Sequence, residues 1–206
     1  MHSRRAGRGP RVAATVLVVA LSLAMLAGCG DTSKAADRYR GQALGVAAKP
    51  APQITLRNSL GTPVKLSDYR GKAVLLSFLY ADCPDVCPLI AGKLAAVRKR
   101  LGAKAGTVQL LAVSVDPEGD TPARVNAFLR AHGLTGKMQY LVGTKHELVG
   151  PWRAYAVGVR GAPGSTDLAH SSLIYGITAS GKQAVVYFQD APVSAMVHDV
   201  PVLARS

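Results

Sequence analysis

Cys83 and Cys87 are the residues on which chemistry could turn. They stand four apart in Cys83-Pro84-Asp85-Val86-Cys87-Pro88, in a 206-residue chain with three cysteines. At positions i and i+4 of a helix, two β-carbons lie about 5–6 Å apart on one face. Two sulfurs so placed could share a metal ion, or close to a disulfide after a small movement. In a first helical turn the dipole lowers thiol pKa values, which favours metal binding and redox exchange alike. Spacing alone leaves both open. An inert structural disulfide is the bland alternative, and a bridge over so short a loop adds little stability. His170 lies 83 residues beyond Cys87. With both thiolates it would make a soft, low-coordination site, suited to Cu(I) and also accepting Cu(II). Zinc is second, because a closed zinc site wants a fourth ligand and no obvious further cysteine or histidine is offered.

The third cysteine, Cys29, belongs to a different feature. Arg4, Arg5, Arg8 and Arg11 precede an apolar run from Val12 to Leu26 broken only by Thr15 and Ser22. That is the order of an export signal, and the run is short for a membrane span of about 20 residues. Leu26-Ala27-Gly28-Cys29 looks like a bacterial lipobox, with Cys29 the lipidated residue. An uncleaved anchor with a chance cysteine is the alternative. Ser3-Arg4-Arg5 leaves the export route open between general secretion and the twin-arginine path. The organisation expected is a signal over 1–28, a flexible tether over 29–51 and a folded domain over 52–206. The domain then stands outside the cytoplasm, lipid-anchored to the outer face of the cytoplasmic membrane.

The elements that must position the cysteines follow from periodicity. Gln53–Leu56 and Val64–Leu66 read as short strands joined by a Gly61-Thr62-Pro63 turn. Ala73–Tyr80 is an apolar strand running directly into the cysteine pair. Leu89–Leu101 has helical spacing, with Ile90, Leu94, Val97 and Leu101 on one face. Val108–Val115 is a second apolar strand. Thr121-Pro122 reads as an N-cap with proline in the first turn of a helix to His132. A strand over Met138–Val142, a helix over Lys145–Tyr155, strands over Ser172–Thr178 and Gln183–Phe188, and a helix over Val193–Leu203 complete the chain. Alternating strands and helices imply an α/β sheet with parallel pairs and helices on both faces. The layout is thioredoxin-like: a mixed central sheet, flanking helices and an N-terminal β-hairpin.

Thioredoxin enzymes carry Cys-x-x-Cys and a proline just before the late strand, facing the pair and keeping metals away. Here one extra residue separates the cysteines. The corresponding segment is Leu168-Ala169-His170-Ser171-Ser172-Leu173, with no proline. Three segments then point to one family. Leu79-Tyr80-Ala81-Asp82-Cys83-Pro84-Asp85-Val86-Cys87-Pro88 resembles the signature of Sco/SenC proteins. Val113-Ser114-Val115-Asp116-Pro117-Glu118-Gly119-Asp120-Thr121-Pro122 looks like that family's second motif, and His170-Ser171 with Leu173-Ile174-Tyr175 like its third. The resemblance runs from about Pro52 to Phe188. It implies a thioredoxin-like fold, one copper ion on Cys83, Cys87 and His170, and a part in assembling the copper centre of cytochrome c oxidase, with the oxidase's copper-binding subunit as partner. It also implies a reversible Cys83–Cys87 disulfide and, as the alternative activity, thiol–disulfide exchange on the receiving cysteines. Enzymatic activity is left open. A peroxiredoxin-like reading is weaker, because Leu79–Asp82 lacks the proline and threonine expected before a peroxidatic cysteine. Many relatives carry Asp directly before the histidine and Arg at position 119; here Ala169 and Gly119 stand there. The second N–H of His170 then needs Asp167 or a backbone carbonyl as its acceptor.

The charge of +13 falls to +9 once the four arginines of the signal are removed. The simplest reading is a solvated basic surface, drawn to anionic headgroups within a Debye length of roughly 8–10 Å. No nucleic-acid motif is present. His132, His146 and His198 are assigned no role, Met138 and Met196 read as packing residues, Asp85 as a helix cap, and Asp116 and Asp120 as loop-fixing residues.

Overall fold

The computed structural model describes residues 38–45, 48–161, 164 and 168–206. Cys29, Asp167 and the export signal lie outside these residues. Among them, β1 (Gln42–Ala43), β2 (Lys49–Pro50), β3 (Thr55–Asn58), β4 (Pro63–Lys65), β5 (Ala73–Leu79), β6 (Val108–Ser114), β7 (Met138–Val142), β10 (Ile174–Ile177) and β11 (Lys182–Tyr187) form one sheet. Its order is β1-β11-β10-β5-β6-β7-β3-β4, with β2 also on the outer edge of β11. β8 (Val159–Arg160) and β9 (Ala169–His170) pair separately. The helices are α1 (Val86–Leu101), α2 (Pro122–Ala131), α3 (Lys145–Ala154) and α4 (Val193–Leu203).

β5, β6 and β7 run parallel, while β10 is antiparallel to β5 and β3 to β7. All seven residues of β5 are buried, as expected of a central strand covered on both faces. Ala73 pairs with Val108 and Leu79 with Ser114, so β5 and β6 end together and release their following loops at one end of the sheet. The turn between β10 and β11 lies at the other end, where Gly71 N–H donates to Ala179 O. This is the thioredoxin fold with an N-terminal β3–β4 hairpin.

Local sequence explains the helix starts. Thr121 Oγ1 accepts from Arg124 N–H ahead of Pro122. Thr144 and Glu147 form a reciprocal capping box on α3. Pro151 and Pro201 both sit inside helices that continue past them. The core holds the faces expected of α1, and Met138 and Met196 are buried in it.

The tether expected over 29–51 is shorter at its C-terminal end. β1 and β2 are laced to β11, and the N–H groups of Arg40 and Gly41 donate to Asp199 at 2.9–3.0 Å. Asp199, on α4, is fully buried and also accepts from Tyr187 Oη at 3.0 Å; His198 Nδ1 lies 2.8 Å from its Oδ1. These donors replace the water lost on burial, and nothing in residues 38–41 advertised them. Asp199→Ala strips the acceptor from the buried Tyr187 hydroxyl and from two part-buried N–H groups and should lower the unfolding free energy in urea by roughly 3 kcal/mol. A loss below about 1 kcal/mol would mean the clasp on the N-terminal segment has no stabilising weight.

Candidate metal centre

Cys83 does not sit on the helix. α1 begins at Val86, so the i, i+4 helical argument does not bring the sulfurs together. The loop does. Cys87 N–H donates to Cys83 Sγ at 3.4 Å, so the first sulfur caps the helix that carries the second. Asp85 occupies the N-cap position without a side-chain cap bond, correcting the expected role of its carboxylate. The two residues are free thiols here, Cys87 fully buried and Cys83 nearly so.

A second carboxylate holds that loop. Asp120 Oδ1 accepts from Ala81 N–H at 2.7 Å, and Oδ2 from Tyr140 Oη at 2.9 Å. Asp116 is equally buried, and its Oδ1 accepts from Gly119 N–H at 2.9 Å and Gly164 N–H at 2.8 Å. A β-carbon at Gly119 would fall on the Asp116 carboxylate, which accounts for glycine at this position. The loop-fixing role expected of both acids is what the structure shows. Asp120 adds what the sequence did not indicate, a clamp on the residue two before Cys83. Its place in the sequence, directly before Thr121-Pro122, gave no sign of this.

His170 arrives on the segment that leads into β10, the neighbour of β5. β8–β9 pairs His170 with Val159, Ser171 N–H donates to Gly158 O, and Ser77 Oγ on β5 donates to Leu173 O at 2.8 Å. Its ring lies edge-on to Tyr80, with centroids 5.7 Å apart. Nδ1 faces the Ser171 carbonyl at 3.2 Å, which assigns the ring proton to Nδ1. Nε2 is then a lone-pair acceptor, and it lies 3.4 Å from Cys87 Sγ. The acceptor sought for the second nitrogen is therefore a backbone carbonyl among the described residues.

Environment separates the two thiols. Burial pushes the Cys87 thiol well above its ordinary value, and the neighbouring Cys83 sulfur adds to this. Burial also raises Cys83, but hydrogen bonds from the Cys87 side chain, the Asp85 and Cys87 backbone and Tyr80 outweigh it, and the net shift is downward. Burial lowers the His170 pKa against a smaller opposing bond to Ser171, which keeps the ring neutral and its Nε2 open near pH 7. Tyr80, Cys83, Asp85, Val86 and His170 line a cleft of about 260 Å³. That is below the range of small-molecule pockets and enough for an ion or one incoming side chain.

The donors fit a soft metal. An ion bonded to sulfur at ~2.3 Å and to nitrogen at ~2.0 Å holds the two atoms roughly 3.5 Å apart, close to the spacing between Cys87 and His170. No three such side chains among the described residues already surround one point. Cys83, which lies on the loop rather than on α1, lines the same cleft as His170.

The chain is thus a thioredoxin-fold protein with a histidine, on the segment leading into β10, against the second of two cysteines that follow β5. The SCO1/SenC family profile matches residues 45–205, and the chain belongs to that family. It is 31% identical over 190 residues to the bovine mitochondrial protein SCO2 homolog, covering 84% of this chain and 69% of that one. It is 31% identical over 166 residues to protein SenC of Rhodobacter capsulatus, covering 79% and 74%. The copper-bound structure of ScoI from Bradyrhizobium japonicum superposes with a TM-score of 0.67 at 26% identity, over 75% of this chain and 99% of that one.

Two tests follow. Under limiting iodoacetamide Cys83 should be modified well before Cys87, with its rate saturating below the ordinary thiol pH; mass spectrometry showing Cys87 modified first would contradict the assignment. Burial also lifts the Asp120 pKa to about 6 from 3.8, against hydrogen bonds from Ser114, Ala81 and Tyr140. The folded state therefore binds more protons than the unfolded one across that window. The stability this contributes is complete below about pH 4 and is lost as pH rises through 6. Relative to Asp120→Asn, the wild type should gain up to ~3 kcal/mol between pH 7 and 4, read from urea titrations.

Proposed function

We propose that the protein is an extracytoplasmic copper chaperone that binds one copper ion through Cys83, Cys87 and His170 and supplies it during assembly of the cytochrome c oxidase copper centre. The observation that carries this reading is the placement of His170 Nε2 against Cys87 Sγ, with Nδ1 engaged elsewhere. Family membership and the copper-bound ScoI relative support copper as the metal. Two sulfurs and one neutral imidazole retain a soft ion while leaving room for an incoming thiolate from an acceptor. The acceptor we assign is the copper-binding subunit of the oxidase. A shallow groove from His170 past Leu173 to the exposed Phe188 offers that protein a surface beside the ion.

Binding requires the thiol form of the pair, so copper loading and redox state are linked. In the oxidised form Cys83 and Cys87 would be a disulfide. Thiol–disulfide exchange is the second reading, favoured by the lowered pKa of Cys83. It ranks below transfer because exchange has no use for an imidazole lone pair directed at the buried sulfur. The export signal over 1–28, the lipidated Cys29 and placement at the outer face of the cytoplasmic membrane belong to the same proposal. They rest on the sequence pattern. Asp167 lies outside the described residues, and among those described Ser171 O serves His170.

Cu(I) titration of the reduced protein against a competing chelator tests the site. His170→Ala should weaken binding by ~10-fold or more, in line with the loss of one ligand or its orienting partner. Affinity should fall as pH falls, because protons compete for both sulfurs. Unchanged affinity in His170→Ala together with vigorous disulfide exchange would replace the chaperone reading with the oxidoreductase one.

A further inference from the structure

The positive charge is not spread over the surface as a solvated basic shell. It gathers at the end of the sheet opposite the cysteines. Lys72 precedes the first residue of β5, Lys182 opens β11 at the β10–β11 turn, and Lys49 pairs beside it with Gln183. Lys104 lies between the end of α1 and the start of β6, and the last turn of α1 is Arg98-Lys99-Arg100. Arg70 places its guanidinium against Gly181 in the same turn. The side chains of Lys49, Arg70, Lys72, Lys104 and Lys182 are exposed, and none is in an ion pair among the described residues. Asp68 stands nearby and is engaged with Lys65 N–H. The cysteine end is balanced by comparison. Asp82, Asp85, Glu118 and Asp190 are exposed there beside Arg124, Lys145, Arg153 and Arg160, with Arg124 and Asp82 paired at 2.9 Å.

The first described residue reaches the basic end with its side chain. Arg38 Nη2 donates to Ser206 Oγ at 2.7 Å, and Ser180 N–H of the β10–β11 turn donates to Ser206 O. Eight residues separate Arg38 from Cys29, a reach of at most about 32 Å. We propose that this end of the domain is a docking face for an anionic lipid surface. The seven residues of β5 then act as a spacer of about 20 Å that presents the cysteine–histidine site away from the bilayer. The orientation rests on the anchoring reading of Cys29; the lipid affinity of the face does not.

The test uses residues 38–206, which contain every core residue among those described and the Asp199 clasp and lack Cys29. Wild type is sedimented with phosphatidylcholine vesicles and with vesicles also containing phosphatidylglycerol. Binding is expected only to the anionic vesicles and should vanish in high salt. K72E/K104E/K182E should lower it by ~10-fold or more, while K145E/R153E/R160E, with the same change in net charge, should bind within about threefold of wild type. Near-UV circular dichroism confirms that each variant is folded. Equal losses in the two triple variants would mean that net charge and not a face drives binding, and the proposal fails. It fails equally if wild type ignores anionic vesicles, and retention on heparin in that case would assign the charge to a polyanion other than lipid. Because Cys29 is absent, none of these outcomes depends on whether it is lipidated.

Discussion

The antiparallel ladder between β5 and β10 holds both halves of the candidate site in one frame, with Ser77 Oγ donating across it to Leu173 O. β5 delivers the cysteine loop at its C-terminal end, and the segment entering β10 carries His170. Because Ile174 pairs with Ser77, the histidine stands above the last residues of β5, level with the cysteines. A slip of one residue would turn every side chain of β10 to the other face. The ladder is central and wholly buried, so the spacing between imidazole and sulfur is set by the most rigid part of the molecule.

Around this frame the protein invests buried polar groups where loops would otherwise move. Asp120 and Asp116 tie the loops after β5 and β6, and Trp152 Nε1 donates to Ser114 O at 2.9 Å where β6 ends. Tyr175 Oη reaches Tyr155 O, and Tyr155 Oη reaches Pro52 O. Such groups are costly if left unpaired and strongly orienting when paired. Cys83 has looser support. Its sulfur is held by hydrogen bonds alone, on a loop rather than a helix, next to the cleft. One sulfur is thus anchored in the core and the other lines the cleft.

The same division by ends of the sheet separates the site from the cations. Strand ends at one pole carry the thiols and the histidine. The opposite pole carries lysines and an arginine that make no ion pair among the described residues. Parallel strands make this possible, because loops at the two ends of a parallel sheet come from different parts of the sequence and can differ freely in composition.

The sequence by itself determined the order of the main elements, the helix starts at Thr121-Pro122 and Lys145, and the residue types of the site. These depend on local periodicity, caps and recurring motifs, which adjacent residues encode. It misjudged how the cysteines meet, because four-residue spacing suggested a helical face and the helix begins only at Val86. It placed too much chain in the tether, since the partner of Arg40 and Gly41 is Asp199, far along the sequence. It left the acceptor for His170 open between Asp167 and a backbone carbonyl, and Ser171 O takes that role among the described residues. The charge total was legible from composition, but its segregation was not. Tertiary structure alone decided these points, because each is a distance between groups that no local pattern relates. The contact of Cys87 with His170 is the clearest case: the residue types were visible in the sequence, and only the β5–β10 register could bring them to 3.4 Å.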